Sequence, residues 1–438
     1  MDTALIAKSK KRAMLVFVGC CLMQMFALGT VLNSSSAYFA YVPMMVAPDN
    51  PMYIVSFSTW ITFYGIAALV GTFLAGILIP KFGAKIVLSV DIVVSALVMF
   101  AFTFMTPDWT AVHFIVLGII LGLFGGQYFI YACPVLIGAW FGKKVMGRYL
   151  GIANLFSGIG GALWPQVFTQ IFVNAPWQTV YYLNAVLILA LLVFSLTVFS
   201  VHPEKHGFIQ YNGDKPEDYA VESSAQETAS GVPLKFCIGS GVFWLLFFAA
   251  MLCAFPGSYN SYLQANALEV LGPGSDAFAA SIMIYLQVGY IIASGFGGFF
   301  IDKFGIKLYS IVILVITIIT FALWSFVNTP PAMAATAFFF GMNNAMVTIM
   351  VPMLVRHHFG QKAYDKVLSY CMMAIGLMGS MGAPVIAFVF ATAGTYSNAF
   401  LIGAAVVAVD LVLVLLSFVP VKKLHAAHWE GAEEAAAA

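Results

Sequence analysis

The sequence predicts an all-α integral membrane protein with 12 transmembrane helices arranged as two pseudo-symmetric six-helix bundles. Three observations predict it. Of the 438 residues, 62% are hydrophobic and only 8% charged, against roughly 25% charged in soluble domains, which is more apolar surface than a water-soluble core can hide. Apolar stretches of about twenty residues or more recur twelve times, each long enough at ~1.5 Å per residue to cross a hydrocarbon layer of about 30 Å. The nineteen Lys and Arg fall only at alternate ends of these stretches.

The spans run over about 14–42, 52–79, 86–106, 110–141, 148–173, 177–200, 237–266, 276–301, 307–327, 331–358, 367–392 and 396–420. The first follows Lys8, Lys10, Lys11 and Arg12 like the h-region of a secretory signal, but it is too long and lacks a small-residue cleavage site. We read it as an uncleaved helix. Short loops retain Lys and Arg on the cytoplasmic side. With a cytoplasmic N-terminus, that side receives the N-terminal cations, Lys81 and Lys85, Lys143, Lys144 and Arg148, and Lys205, Lys215 and Lys235. It also receives Lys303 and Lys307, Arg356, Lys362 and Lys366, and Lys422 and Lys423, which completes the nineteen. The opposite loops hold Asp49, Asp108, Glu269 and Asp276 and no cation. A miscount of one helix would scatter the cations to both faces, so count and topology support each other. The expected location is the cytoplasmic membrane, multi-pass, with both termini inside. The net charge of +1 is an average over a polarised molecule and points to no nucleic-acid partner.

Residues 201–236 are hydrophilic, rich in charge, Ser and Gly, and read as a cytoplasmic linker. They divide the chain into an N-terminal bundle over 1–200, a C-terminal bundle over 237–420 and a low-complexity tail over 421–438. The six Cys lie in or beside apolar spans without CxxC spacing, so no metal or redox site is expected, and no cofactor.

The two halves repeat. At an offset of 222, Gly76, Lys81, Phe82, Gly83 and Lys85 fall on Gly298, Lys303, Phe304, Gly305 and Lys307. At an offset of 218, Pro134, Phe141, Gly142, Lys144 and Gly158 fall on Pro352, Phe359, Gly360, Lys362 and Gly376. Parallel repeats about the membrane normal characterise one large class of secondary transporters. In "GGFFIDKFGIK", Gly297 to Lys307, the paired glycines would let helices approach closely. Asp302 would accept from a helix N-terminus or meet a cation, Gly305 would allow the tight turn, and Lys307 would open the next helix at the headgroups.

This pattern, after the second helix of each half, resembles the signature of the major facilitator superfamily, and the resemblance covers the whole chain. It implies a latch of helix ends carried by Gly76, Lys81, Gly83, Lys85, Gly298, Asp302, Lys303, Gly305 and Lys307. Pro80 occupies the acidic position of the first copy, so only the second copy is complete. Tyr131 to Gly161 and Pro352 to Lys362 resemble the helix 4–5 junctions of the oxalate/formate exchanger and monocarboxylate transporter branch. That branch implies a substrate-binding Arg eight residues before the latch Asp, where this chain has Ser294, and a Lys within helix 11 that is missing here.

No Lys or Arg lies deep in any span, where a charge costs about 3 kcal/mol and persists only for function. A neutral or zwitterionic solute is therefore favoured, with a mono- or dicarboxylate as the alternative. Neutral polar groups at midplane depth are the path candidates: Gln24 and Asn33 on helix 1, Gln127, Tyr128 and Tyr131 on helix 4, Tyr259 and Asn260 on helix 7, Tyr285, Gln287, Tyr290 and Ser294 on helix 8, and Asn343 and Asn344 on helix 10. The resemblance implies that helices 1, 4, 7 and 10 line the cavity. His113, Asp410 and Asp91 are the proton-coupling candidates. No nucleophile–base pair or phosphate loop marks an enzyme. The expected function is transport of a small organic solute by alternating access, by symport, antiport or facilitated diffusion. The expected partners are a small-molecule substrate, the lipid bilayer, and protons or a counter-solute, on a monomer. A transporter-like nutrient sensor would share the same pattern.

Overall fold

The computed structural model describes residues 3–126, 132–213 and 230–430. Among them the regular structure is helical, with isolated β-bridges as the only pairing outside helices. Twelve principal helices follow the predicted spans. In chain order they are α1 (Leu5–Val46), α2 (Tyr53–Phe82), α3 (Ala84–Phe102) and α4 (Ala111–Gly125 and Ala132–Trp140). Next come α5 (Lys143–Asn174), α6 (Gln178–Thr197), α7 (Gly241–Ser261), α8 (Asp276–Phe304) and α9 (Ile306–Trp324). The last are α10 (Pro330–Phe359), α11 (Tyr364–Ala393) and α12 (Ser397–His428). Ten are long and apolar enough to cross a membrane. The two remaining are α4, which is described in two pieces, and α5, which carries Asn154, Ser157, Gln166 and Thr169 along its length. Large apolar side chains such as Phe73, Leu97, Phe299 and Phe388 lie exposed on the helix surfaces, as a bilayer rather than water requires. The chain is an all-α, multi-pass membrane protein of two six-helix bundles.

Residues 1–222 and 274–281 form one compact unit, and residues 223–273 and 282–438 the second. In the first, α2 packs on α4 so closely that a Cβ at Gly118 or Gly122 would overlap the carbonyl of Trp60 or Tyr64. In the second, α8 meets α10 the same way, with Gly289 against the Phe338 carbonyl and Gly341 against the Leu286 carbonyl. Without a hydrophobic drive between helices in lipid, such backbone approach supplies the packing. Gly71 and Gly289 stand 218 residues apart, so the repeat extends to the packing surfaces.

Local chemistry sets the helix ends. Ser240 caps α7, its Oγ accepting from the Phe243 amide at 3.2 Å. Pro256 interrupts the α-helical run of α7, which continues through a 3-10 turn at Tyr259–Ser261 into a helix over Leu263–Leu271. Between α2 and α3 stands the single residue Gly83, at φ 83 and ψ 147, and between α8 and α9 the single residue Gly305, at φ 82 and ψ 157. Two positions 222 residues apart thus make the same turn, in a region L side chains avoid. Nothing lies within 4 Å of a Cβ at either glycine, so only backbone strain opposes a substitution. We expect Gly83→Ala and Gly305→Ala each to destabilise by about 1–2 kcal/mol and to lower the melting temperature by similar, additive steps.

The expectation that both glycines of the 297–298 pair admit close helix contact holds for Gly297 alone. Its Cβ would meet Ile349 at 2.8 Å and the Tyr309 hydroxyl at 3.0 Å, whereas a Cβ at Gly298 would meet nothing within 4 Å. One residue along a helix is a rotation of about 100°, which carries Gly298 off the packed face. Gly76, its counterpart, is exposed.

Candidate functional site

In the first unit the polar positions converge on a seam between α1 and α5. Residues Gln24–Leu28 of α1 form a π turn closed by the Gly29 amide on the Gln24 carbonyl, a local widening that frequently marks functional positions. The Trp164 indole of α5 donates to the Met25 carbonyl inside that turn at 2.9 Å. Gly29 and Gly160 bring the two backbones together, a Cβ on Gly29 lying 3.1 Å from the Gly160 Cα. Above and below this contact, Asn33 donates to the Ser157 hydroxyl at 2.8 Å and carbonyl at 2.9 Å, and Gln24 Nε2 reaches Asn154 Oδ1 at 3.4 Å. Gln24 is 4% exposed, and its Oε1 has no hydrogen-bond partner among the described residues.

A second, closed network lies between α1 and α6. Asn184 Oδ1 accepts from Thr30 at 2.6 Å, Asn184 Nδ2 donates to the Tyr38 hydroxyl at 2.6 Å, and that hydroxyl lies 3.2 Å from the Thr30 carbonyl. Its side chains satisfy one another, which is the signature of a packing device. Asn184→Leu is expected to cost about 1–2 kcal/mol, read as a lower melting temperature with solute binding little changed.

In the second unit the break in α7 presents Asn260 to α10, where its Nδ2 meets Asn344 Oδ1 at 3.3 Å. Asn260 Oδ1 is buried without a partner among the described residues, and so is Nδ2 of Asn343, which is 2% exposed. A π turn over Met346–Met350 follows directly. Tyr259 turns away from this pair. It donates to the Ala399 carbonyl at 2.7 Å and packs on Phe321 and Phe400, with ring centroids at 4.8 and 5.2 Å. On α8, Tyr285 is exposed and Gln287 and Tyr290 are half-buried. Ser294 is half-buried with an unpartnered Oγ among the described residues. No recorded hydrogen bond among the described residues joins these α8 groups to the Asn260–Asn344 pair. Gln127, Tyr128 and Tyr131 lie outside the described residues.

The latch positions repeat in geometry. Lys81 Nζ stands 5.3 Å from the Phe82 centroid and Lys303 Nζ 5.3 Å from that of Phe304. Lys307 lies over Phe418 of α12 at 5.9 Å, and the Lys85 carbonyl faces the Ser195 hydroxyl of α6 at 3.4 Å. Asp302 is exposed, and among the described residues it neither caps α9 nor meets a cation.

Of the proton-coupling candidates, His113 is held in a capping box at the start of α4, with the Thr110 amide donating to its Nδ1 at 3.2 Å and its ring stacked on Trp109 at 5.2 Å. Asp91 is 2% exposed with Oδ2 unpartnered, and Asp410 is wholly buried with both oxygens unpartnered among the described residues. Among the described residues no three His, Cys, Asp or Glu gather as metal ligands. The α5 partners Asn154 and Ser157, and the trio Thr30, Tyr38 and Asn184, escaped the sequence reading. The polar residues inside span 148–173 were the available signal.

No curated protein matches the chain. Among solved structures, a point variant of the nucleoside transporter NupG is similar with a TM-score of 0.72 at 17% identity, covering 93% of this chain and 100% of that one. A bacterial homologue of the human lysosomal transporter Spinster, in an inward-facing and unoccupied conformation, follows at 0.65 and 12%, covering 97% and 99%. These identities speak for the fold alone. The sequence model of the Major Facilitator Superfamily matches residues 25–286 and again residues 251–436. The two matches overlap over 251–286 and together span residues 25–436, and with the duplicated Gly83 and Gly305 turns they establish that this membrane transporter belongs to the major facilitator superfamily.

Proposed function

We propose that the chain carries a small neutral or zwitterionic polar solute across a membrane by alternating access, with Gln24 and Asn33 in the first unit and Asn260, Asn343 and Asn344 in the second as contact groups. The observation that carries this reading is the set of buried amide atoms without hydrogen-bond partners among the described residues: Gln24 Oε1 on α1, Asn260 Oδ1 on α7 and Asn343 Nδ2 on α10, with Gln166 Nε2 on α5 as the fourth. Buried polar atoms are ordinarily paired. These atoms offer neutral donors and acceptors and no charge, which suits a solute that carries both kinds of group and no net charge. The position where the carboxylate-carrying branch holds its Arg is Ser294, which argues for the same class. Nucleosides, which the structurally similar NupG transports, are neutral solutes of this kind and head the candidates.

The distribution of cations favours a cytoplasmic membrane with both termini inside, and protons or a counter-solute remain the coupling partners to assay on a monomer. The deciding measurement is a thermal-shift screen of purified protein against nucleosides, sugars, amino acids and mono- and dicarboxylates, followed by flux into liposomes. Stabilisation by neutral or zwitterionic members with flux supports the reading. A response confined to carboxylates overturns the substrate class, and binding without flux favours a sensor. Asp302→Asn is expected to slow flux several-fold with binding within about twofold of wild type, because a latch acts on the exchange between states and not on the solute.

A further inference from the structure

The C-terminal end of α4 with the residues after it, Trp140–Gly142, and the C-terminal end of α10 with Gly360, His358–Gly360, are the same element of the repeat, 218 residues apart. Each holds one end of the segment that joins the two units. In the first unit the Tyr211 amide donates to the Trp140 carbonyl at 2.8 Å, and the Gly142 amide donates to the Tyr211 carbonyl at 2.9 Å. Tyr211 is 5% exposed, edge-on to Phe141 at 6.2 Å and to Tyr149 at 6.4 Å, with Lys10 over its ring at 5.6 Å. The preceding residues reach α1 as well, through the Ile209 amide on Ser9 Oγ at 3.1 Å and Lys8 over Phe208 at 5.4 Å.

In the second unit the Val232 amide donates to the Phe359 carbonyl at 2.9 Å and the Gln361 amide to the Ser230 carbonyl at 2.8 Å. Gly231, between them, exchanges two further bonds with Glu430 beyond α12, at 2.8 and 3.1 Å, while Lys362 pairs with the Glu430 carboxylate. Gly231 sits at φ 146, and a Cβ there would overlap the Phe359 carbonyl.

The joining segment occurs once and lies outside the repeat, so duplication supplied both loops but not both docked strands. The bridge to Phe141 is parallel and the bridge to Gly360 antiparallel, and the loop residues used shift from 140 and 142 to 359 and 361. Two unrelated stretches therefore fit the two copies of one loop by different routes. We propose that the joining segment works through these docked ends, as a clamp on the α4–α5 loop of the first unit and on the α10–α11 loop of the second. A passive connector would need neither set of bonds. The clamp ties α1 to the α4–α5 loop, and in the second unit it joins the α10–α11 loop to the chain leaving α12, so that each group of helix ends moves as one body.

The proposal separates docking from continuity of the chain, and hydrogen exchange tests it without any solute. A protease site is placed within residues 216–226 of the full-length protein, and exchange at the Gly142 and Gln361 amides is followed before and after cleavage. Exchange within about twofold of the uncut protein is expected at both amides. Tyr211→Ala should speed exchange at Gly142 by about tenfold or more, and Gly231→Val should do so at Gln361, each in its own unit. A chain ending at Trp429, which removes the Glu430 partner and keeps the Trp429 ring beside Gly360, substitutes for Gly231→Val where that variant does not purify. Faster exchange after cleavage, or unchanged exchange in either variant, overturns the proposal.

Discussion

Gly341→Leu is expected to leave almost no folded protein. A Cβ at this position of α10 already overlaps the Leu286 carbonyl of α8, and the rest of a leucine side chain has nowhere to go but into that helix. Overpacking against movable side chains costs about 1–3 kcal/mol. Here the obstacle is backbone, so the helices must separate, and separation removes the close contact that holds them together in lipid. Gly289→Leu should act alike through the Phe338 carbonyl, and Gly122→Leu through that of Tyr64. Gly298→Leu, with nothing within 4 Å of its Cβ, is the matched control and should yield wild-type amounts. Size-exclusion profiles of the detergent-extracted variants decide it. A monodisperse Gly341→Leu peak would show that the α8–α10 approach is not required.

Asn343→Leu is expected to weaken binding of the transported solute by at least about tenfold, or ~1.4 kcal/mol, while leaving the melting temperature of the unliganded protein unchanged or higher. The two effects part because the Asn343 amide nitrogen is buried without a partner among the described residues, and an unpaired buried donor costs about 1–3 kcal/mol that leucine does not. Gln24→Leu should behave alike, softened by the loss of its contact to Asn154. Asn184→Leu is the mirror case, since its amide satisfies Thr30 and Tyr38 and stability is what it supports. A fall in unliganded stability with unchanged binding would remove Asn343 from the solute path.

The helices, their number and the repeat were legible because apolar length and alternating charge are properties of the chain itself. So was the turn at Gly305, since Phe304-Gly305 with flanking lysines repeats Phe82-Gly83. The direction a side chain faces was less so. Tyr259 lies at the expected depth, but the helix break at Pro256 changes the phase of the residues after it and turns Tyr259 into the Phe321–Phe400 packing. His113 stands in Thr-x-x-His, and its capping role went unread because the usual partner at that position is Glu or Gln. Asn154 and Ser157 were visible as polar residues, yet their pairing with Gln24 and Asn33 depends on the register between two helices 130 and 124 residues apart, which no local pattern encodes.

The one-residue connections at Gly83 and Gly305 also bear on how the chain enters its membrane. A helix that begins one residue after its predecessor ends cannot choose its orientation separately. Lys81 stands in the last turn of α2 and Lys85 in the first turn of α3, and α8 and α9 stand in the same relation through Lys303 and Lys307, so whichever interface receives the end of α2 or α8 also receives the start of the next helix. Each pair is therefore expected to insert as one hairpin, with the orientation of α3 and of α9 set by the helix before it.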